Sequence, residues 1–424
     1  MYIAQLAGSG GRRRRGKGQW TTMPHIQSVT IHRRSVPLVR PFVTAVRVAT
    51  QVDAVLVEVR DSDGRSGWGE APTSWRVTGE SAASVTAAVE GPLSAAVDGL
   101  PADDPAGASE ALKQAVVGNS SARMAVECAV YDLAARVAGV PLFRYLGGRE
   151  NVLRTDMTLS AAATPTQARE LVRTAVAQAA AGFSTLKVKT GAGGDDVALL
   201  AAVRQAVGPH VTLRADANQG WTPQQAVAVI SAWEDAGLGV ELVEQPVHRD
   251  DLDGLAFVTA RVATPVLADE AVWTRRDFRQ VVALHAADLV NIKLAKAGGL
   301  HEALALARLA AECGVGVFVG CMSESHVGIA AAAAFASALA GSSDATGTGL
   351  ATATGSATAT GTEPTTSTGP ATITGTATAT ATVPQDLDAG LWLTASPVDG
   401  GVAYEGESIT LPDTPGTGID GLAA

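Results

Sequence analysis

Apolar and polar residues alternate in two stretches near the start of the chain, at 26–34 and 52–60. Because successive side chains of a strand point to opposite faces, this alternation predicts two strands that each bury one face. The segment Asp61–Gly64 has the residues that tight turns favour, and a short strand candidate at Gly67–Glu70 follows it. We therefore predict a hairpin between 52–60 and this strand.

Alanine-rich stretches come next and predict helices at about 80–98 and 105–117. The clearest helical pattern is that of Ser121–Ala138. Apolar residues recur on one of its faces at helical spacing, namely Val126, Val130, Leu133 and Val137. Gly139 and Pro141 mark its end, because neither residue continues a helix well. The first third of the chain is thus predicted to be α+β.

From residue 151 onwards, apolar segments alternate with helical ones. Seven segments are predicted strands: 153–159, 183–189, 211–216, 240–244, 265–269, 288–293 and 315–320. A typical intervening helix is Thr166–Ala181, which ends at Gly182. Strand–helix units of this length imply parallel strands joined by crossover helices. Seven such units in a row favour a closed barrel over an open sheet.

One long segment, 342–383, departs from this alternation because it consists almost entirely of Ala, Thr and Gly. It has no helical stripe and buries little apolar surface per residue. We predict a flexible low-complexity insertion. A pair of threonine-rich strands is the alternative.

Charge is distributed unevenly. The formal net charge is −10, and residues 1–22 contribute five positive charges and no acid, so the remainder carries −15. Such an acidic body argues against nucleic acid as the main partner. We expect residues 1–22 to form a disordered, solvated basic tail, with a nucleic-acid or membrane arm as the alternative. Met23 is an alternative start of the protein.

Three cysteines lie far apart, at Cys128, Cys313 and Cys321, and match neither a disulfide framework nor a cysteine-type zinc site. The longest nearly apolar stretch, Gly328–Ala340, is too short and too alanine-rich to span a membrane. We expect a soluble, cytoplasmic protein without a membrane partner.

Charged residues recur at or near the ends of successive predicted strands. They are Lys187, Lys189, Asp216, Glu244, Asp269 and Lys293. From Lys189 onwards they are 27, 28, 25 and 24 residues apart, which is about one strand–helix unit each. They should therefore lie around one rim of the barrel, the face on which barrel active sites are built.

Three of these residues, Asp216, Glu244 and Asp269, offer carboxylates from adjacent strands. An all-oxygen site without histidine or cysteine favours Mg²⁺ over zinc. The alternative is that the acids only form salt bridges with the lysines.

The lysines indicate what such a metal is for. Lys187 and Lys189 should point the same way, into the barrel mouth, and Lys293 should face them from the opposite side. A metal and a neighbouring cation lower the pKa of a lysine, which makes the amine available as a base. Metal coordination also stabilises an enolate. One base on each face of that carbanion implies racemisation or epimerisation, although a surface salt bridge would explain any single lysine.

The motifs around these residues resemble those of the enolase superfamily, and within it the muconate-lactonizing subgroup. The matching segments occur in order: Lys187–Lys189, Asp216–Asn218, Glu244–Pro246, Ala268–Glu270 and Asn291–Lys293, together with Gly67–Ala71 and Pro141–Gly148. The resemblance implies an α/β fold, a (β/α)7β modified TIM barrel with an α+β capping domain. The capping domain would span 23–150, completed by about 391–424, and the barrel 151–341 plus 384–390.

The resemblance also implies roles for the charged residues. Asp216, Glu244 and Asp269 would bind Mg²⁺. Lys189 and Lys293 would form the acid–base pair, with Lys187 as an electrostatic helper.

A finer resemblance concerns the substrate. Asp386 and Asp388 precede Leu391–Leu393, and this Asp-x-Asp resembles the one with which dipeptide epimerases hold the α-ammonium group of the dipeptide. Arg47 resembles the arginine that pairs with a substrate Glu side chain in L-Ala-D/L-Glu epimerases. Other residues expected to line the pocket are Thr158, Cys321 and Ser323. A turn beside a linker is the alternative explanation of the two aspartates.

These expectations favour a Mg²⁺-dependent epimerase of L-Ala-L-Glu or a similar dipeptide, which inverts the C-terminal residue through an enolate. The nearest alternatives are N-acylamino acid racemisation and o-succinylbenzoate synthesis; muconate cycloisomerisation is less favoured. An alternative of another class is a catalytically silent metal-binding or structural protein. We expect a homo-oligomer.

Overall fold

The protein is described by a computed structural model that covers residues 12–15, 19–44, 48–342 and 383–424. Arg47 and nearly all of the predicted insertion 342–383, including its alternative strand pair, lie outside these residues. Within the basic segment, β1 (Arg12–Arg15) pairs antiparallel with β2 (Gln19–Thr22). The disordered tail that we predicted for residues 1–22 stays a prediction.

The first sheet is an antiparallel meander in the order β3-β4-β5. Its strands are β3 (Ile26–Val43), β4 (Val48–Asp61) and β5 (Ser66–Ala71). The predicted hairpin turn after 52–60 is confirmed, because the Asp61 amide donates to the carbonyl of Arg65 at 2.9 Å. β3 runs nine residues beyond the predicted strand 26–34 and so carries Phe42 and Val43 towards the second part of the molecule.

Helices cover one face of this sheet, as the alanine-rich pattern predicted. They are α1 (Ala82–Ala88), α2 (Ser94–Val97), α3 (Pro105–Ala115), α4 (Ser120–Ala138) and α5 (Leu142–Tyr145). A π-helical turn at Val89–Leu93 separates α1 from α2, with Pro92 inside it. Proline removes a backbone donor, so the single predicted helix 80–98 is interrupted there.

Glycines allow β5 to lie directly on α4. A Cβ atom at Gly69 would overlap the carbonyl oxygen of Ala125, and one at Gly67 would overlap that of Ala129. Only a chain without side chains at these positions can approach the helix backbone so closely. The Gly-x-Gly motif therefore determines the distance between sheet and helix.

The second sheet has seven strands in the order β13-β12-β11-β10-β9-β8-β7, and all neighbours are parallel. Strand β6 (Val152–Arg154) precedes it. The seven strands are β7 (Met157–Leu159), β8 (Thr185–Lys189), β9 (Thr212–Asp216), β10 (Val240–Glu244), β11 (Val266–Ala268), β12 (Leu289–Lys293) and β13 (Gly316–Gly320). The predicted parallel strands are confirmed, except that 153–159 is two short strands.

Helices alternate with these strands. They are α6 (Pro165–Ala180), α7 (Asp196–Val207), α8 (Pro223–Asp235), α9 (Leu252–Thr259), α10 (Arg275–Ala283), α11 (Leu294–Ala297), α12 (Leu300–Glu312) and α13 (His326–Ser342). Several begin at Thr or Asp side chains that accept from the first turn, as at Thr164 and Thr222. No helix within the described ranges is long and apolar enough to cross a membrane.

The ring is closed by a short stretch of chain after the low-complexity segment. Gln385 bridges Thr155 beside β7, and Asp386 bridges Gly320 at the end of β13, both in parallel. The chain then turns into a 3₁₀ helix, Asp388–Trp392. The expected last barrel strand, 384–390, is therefore only a two-residue bridge, and Asp388 lies beyond it.

The C-terminal strands contact both parts of the molecule. They are β14 (Val398–Gly400), β15 (Ala403–Glu405), β16 (Ser408–Thr410) and β17 (Ile419–Leu422). β14 and β17 pair with each other and share a buried cluster with Trp68 of β5, whereas β16 pairs with β6. The division into a capping domain and a barrel at the predicted residues stays a prediction.

We expect Gly69→Ala to lower the free energy of unfolding by about 1–3 kcal/mol or more, because the added methyl group must push β5 away from α4. Gly421→Ala is the matched control, since Gly421 lies in β17 with open space around its Cβ position. Urea denaturation of both variants checks the expectation. Equal losses for both would contradict it.

Candidate active site

Parallel pairing brings the charged strand ends into a row. Lys189 of β8 is the register partner of Asp216 of β9, and Asp216 is that of Glu244 of β10. Asp269 follows β11 directly, and Lys293 is the last residue of β12. The ammonium group of Lys189 donates to Asp216 Oδ2. The structure thus places these five side chains on one rim, as the spacing predicted.

Each of the other two predicted metal ligands also faces a lysine. Lys293 Nζ donates to Asp269 Oδ2 at 2.7 Å, and Lys187 Nζ lies 3.5 Å from Glu244 Oε2. Lys296, one turn after β12, lies 2.6 Å from Asp269 Oδ1. All of these side chains are buried. Mutual pairing is what makes so many charges tolerable away from water.

Several buried oxygens around these acids nevertheless have no hydrogen-bond donor within the described part of the chain: Asn218 Oδ1, Glu244 Oε2, Glu270 Oε2 and Asn291 Oδ1. Asn291 Nδ2 donates to Glu244 Oε1 at 2.7 Å and so fixes the orientation of that carboxylate. Unpaired buried oxygens are costly, and an oxygen-only donor set suits a hard divalent cation. The residues present therefore fit Mg²⁺.

The pKa values reflect this crowding. Burial, and then the neighbouring charge of Asp216, raise the pKa of Glu244 to about 8. Burial alone would raise the pKa of Asp269, but Lys293 and Lys296 lower it. Burial would likewise lower the pKa of Lys293, but Asp269 and Glu244 raise it well above its ordinary value. The lysine pairs directly with these carboxylates, which is why its pKa is raised; the lowered pKa that we expect beside a bound metal ion stays a prediction.

A cavity opens at the rim. Its predicted lining residues are Thr158, Lys187, Lys189, Asp269, Lys293, Cys321, Ser323 and Asp386. Four apolar residues that we did not predict also line it: Phe42, Val77, Met322 and Trp392. They come from β3, from the loop after β5, from the loop after β13 and from the 3₁₀ helix Asp388–Trp392, where no periodic pattern could have revealed them. Asp216, Glu244 and Asp388 do not line the cavity.

The two aspartates of the Asp-x-Asp motif are placed differently. Asp386 lies in the cavity wall, 2.5 Å from Lys187 Nζ. Asp388 Oδ2 accepts hydrogen bonds from the Thr158 amide at 2.6 Å and from Trp392 Nε1 at 3.0 Å. We expected a strand that aims both at the mouth. Because the strand ends at Asp386, Asp388 lies behind it, against the first barrel strand.

A third aspartate, which we did not single out, joins this pair. Asp156, Asp386 and Asp388 each offer a carboxylate oxygen, and these atoms lie within 4.8 Å of one another. Arg214 donates to Asp156 Oδ2 at 2.9 Å. The sequence could have indicated both residues, because side chains two positions apart on a strand share one face. Arg214 lies two residues before Asp216, and Asp156 lies two residues before Thr158.

Two further residues that shape the site, Asn291 and Gly320, could also have been identified from the sequence. Asn291 lies two residues before Lys293 and shares its side of β12. Gly320 leaves room for that lysine, since a Cβ atom there would lie 2.8 Å from Lys293 Cε and 2.6 Å from Asn291 Oδ1.

A ring of parallel strands with lysines and carboxylates on one rim, next to an α+β unit, defines the class of barrel enzymes that includes the enolases. Residues 26–147 match the family model "Mandelate racemase / muconate lactonizing enzyme, N-terminal domain", and residues 170–422 match "Enolase C-terminal domain-like". The chain therefore belongs to the mandelate racemase/muconate lactonizing family of the enolase superfamily, and the expected fold is confirmed.

Relatives within this family are similar over most of their length. The L-Ala-D/L-Glu epimerase of Bacillus subtilis is 38% identical over 92% of this chain and 95% of that protein. A substrate-liganded structure of the Bacillus subtilis epimerase superposes with a TM-score of 0.81 at 37% identity, covering 94% of this chain and all of that one. A dipeptide epimerase from Enterococcus faecalis, complexed with Mg and L-Leu-L-Tyr, has a TM-score of 0.79 at 32% identity, covering 93% and 99%.

We expect Glu244→Gln to weaken Mg²⁺ binding about tenfold or more, because it replaces a buried carboxylate, one oxygen of which accepts no hydrogen bond from the described residues, by a neutral amide. Glu127→Gln is the matched control: Glu127 is equally buried, and burial raises its pKa to about 7, but it accepts from the His301 amide outside the rim. Isothermal titration with MgCl₂ measures both. Unchanged binding in Glu244→Gln would remove Glu244 from the ligand set.

Proposed function

We propose that this protein is a Mg²⁺-dependent dipeptide epimerase, an isomerase that inverts the α-carbon of the C-terminal residue of an L,L-dipeptide. The observation that carries the proposal is the pair Lys189 and Lys293. Both line one cavity from strands that are separated by three others, and each contacts a different carboxylate of the predicted metal site. Similarity to dipeptide epimerases over nearly their whole length supports the same chemistry.

Asp216, Glu244 and Asp269 are the residues that would hold the metal ion. When bound, Mg²⁺ supplies electrostatic stabilisation for the negative charge that develops as a substrate α-proton leaves. The Enterococcus faecalis structure, which contains Mg together with a dipeptide, supports this assignment. Asp269 and Glu244 raise the pKa of Lys293 because their negative charges stabilise its ammonium form. A bound cation would neutralise these carboxylates and so lower the pKa of Lys293, which would let the amine act as a base.

The two lysines act from opposite sides of the substrate. One Nζ removes the α-proton and the other returns a proton to the opposite face, which inverts the carbon. Lys187 stays protonated, since Asp386 and Glu244 raise its pKa despite burial. Its fixed positive charge attracts the substrate carboxylate and the enolate that forms from it.

The substrate's ammonium group is the complement of Asp386 and Asp388. A dipeptide with a free N-terminus brings a cation to a wall that carries Asp386, with the Asp388 carboxylate close behind it. Thr158, Cys321 and Ser323 line the same cavity. We assign L-Ala-L-Glu as the dipeptide on the similarity to L-Ala-D/L-Glu epimerases. We propose Arg47 as the partner of the Glu side chain on its sequence resemblance alone.

Two expectations about the cellular state stay predictions: a cytoplasmic location and a homo-oligomer. The acidic body of the chain, which carries −15 without residues 1–22, supports the expectation that nucleic acid is not a partner.

We expect wild-type protein to incorporate deuterium at the α-carbon of the C-terminal residue when L-Ala-L-Glu is incubated in D₂O with Mg²⁺. Lys189→Ala and Lys293→Ala should each reduce epimerisation about 10²- to 10⁴-fold, because each removes the proton carrier of one face. Lys113→Ala, at an exposed ion pair with Glu302, is the control. Proton NMR follows the exchange. Epimerisation without deuterium uptake would refute the two-lysine scheme.

Asp386→Asn separates dipeptide epimerisation from the alternatives. It should raise the KM for L-Ala-L-Glu about tenfold or more, since a neutral amide replaces a charge that faces the ammonium group. Asp399→Asn, at an exposed position of β14, should change nothing. N-acylamino acid racemisation and o-succinylbenzoate synthesis involve no ammonium group. If the wild-type protein turned over substrates of these two reactions but no dipeptide, the proposal of a dipeptide epimerase would be wrong.

A further inference from the structure

Asp156 occupies a buried position behind the cavity wall. It lies between β6 and β7, its amide donates to the carbonyl of Gln385 at 2.8 Å, and its side chain is inaccessible to solvent. One carboxylate oxygen accepts from Arg214, but Oδ1 has no hydrogen-bond partner among the residues that the structure describes. Asp156 also offers one carboxylate oxygen to the group that it forms with Asp386 and Asp388.

Arg214 fixes this carboxylate in place. Its guanidinium is almost fully buried and donates to Asp156 Oδ2 at 2.9 Å, to Glu241 Oε2 at 2.5 Å and to the carbonyl of Pro384 at 2.8 Å. It also lies over the ring of Phe318 at 4.6 Å. Asp156 therefore cannot turn its free oxygen towards another cation without breaking a buried ion pair.

The charges around the three aspartates do not balance. The cations in contact with them are Lys187, which Glu244 shares, and Arg214, which Glu241 shares. With all three carboxyl groups ionised, the cluster would thus carry surplus negative charge in a buried place. Burial and Asp386 raise the pKa of Asp156 to about 8, and the same two causes raise that of Asp388 to about 6. An arriving cation relieves this repulsion.

We propose that Asp156, held by Arg214, is a positioning residue for the ammonium end of the substrate. It acts through Asp386 and Asp388, because it does not line the cavity itself. An arriving cation favours the ionised form of Asp156, and the negative charge then strengthens the attraction of that wall for the cationic group. The inference deepens the proposed function and rests on it.

A divalent metal is a poorer occupant of this cluster than an ammonium group. Asp386 already lies 2.5 Å from Lys187, Asp156 is paired with Arg214, and Asp388 accepts from Thr158 and Trp392. An ammonium group adds one positive charge and donates hydrogen bonds to the carboxylates. It therefore suits the three aspartates better than a metal ion, which needs six or more oxygen ligands.

Steady-state kinetics of the full-length, Mg²⁺-loaded protein with L-Ala-L-Glu test the inference. Asp156→Asn keeps the shape of the side chain and an acceptor for Arg214 but removes the charge. We expect the KM to rise about ten- to a hundredfold with kcat within about threefold of wild type. The Ki of N-acetyl-L-Ala-L-Glu, which has no ammonium group, should stay unchanged, and Asp156→Glu should restore part of the affinity.

Asp132→Asn is the matched control, because Asp132 is a fully buried aspartate paired with an arginine, Arg136, in α4. It should lower the melting temperature without moving KM. A wild-type KM in Asp156→Asn, or a fall in kcat at constant KM, would overturn the inference alone. A wild-type protein that turns over no dipeptide would overturn the proposed function and the inference with it.

Discussion

The structure depends on the mutual compensation of charges buried at one end of a parallel barrel. Three lysines and three acids occupy strand ends that in-register pairing holds side by side. Each of these groups needs an opposite charge beside it, because an unpaired ion in this environment costs several kcal/mol. The geometry of the site is therefore a consequence of strand register. A slip of one residue would turn each side chain to the other face of its strand.

A buried carboxylate also connects the N-terminal sheet to the barrel. Glu70, at the end of the Gly-rich strand, accepts hydrogen bonds from Ser325 N, Ser325 Oγ and Gly328 N at the start of α13. A carboxylate at a helix N-terminus satisfies orphan amides and meets the positive end of the helix dipole. The same strand lies on α4 through Gly67 and Gly69. One short segment thus ties the sheet, its helix and a barrel helix together, and so holds Phe42 at the cavity.

Much of this could be read from the sequence because barrel strands repeat. The even spacing of Asp216, Glu244 and Asp269 determines both their strands and their shared rim, since one unit of a parallel barrel has a nearly constant length. The apolar wall was not predictable: Val77 and Met322 lie in loops whose path depends on tertiary contacts. The break between β6 and β7 was missed because an apolar run does not show where a chain changes partners.

The position of Asp386 is the hardest feature to explain from the sequence, since a segment of about forty low-complexity residues precedes it. Hydrogen bonds immediately after that segment provide the answer. Gln385 donates its amide to the carbonyl of Arg154 and accepts from the Val319 amide through its side chain, while Arg214 holds the carbonyl of Pro384. These contacts come from both neighbouring strands and from the barrel interior. They set the register of the closing bridge locally, so the length of the preceding segment adds only a small loop-closure entropy and leaves the carboxylate opposite Lys187.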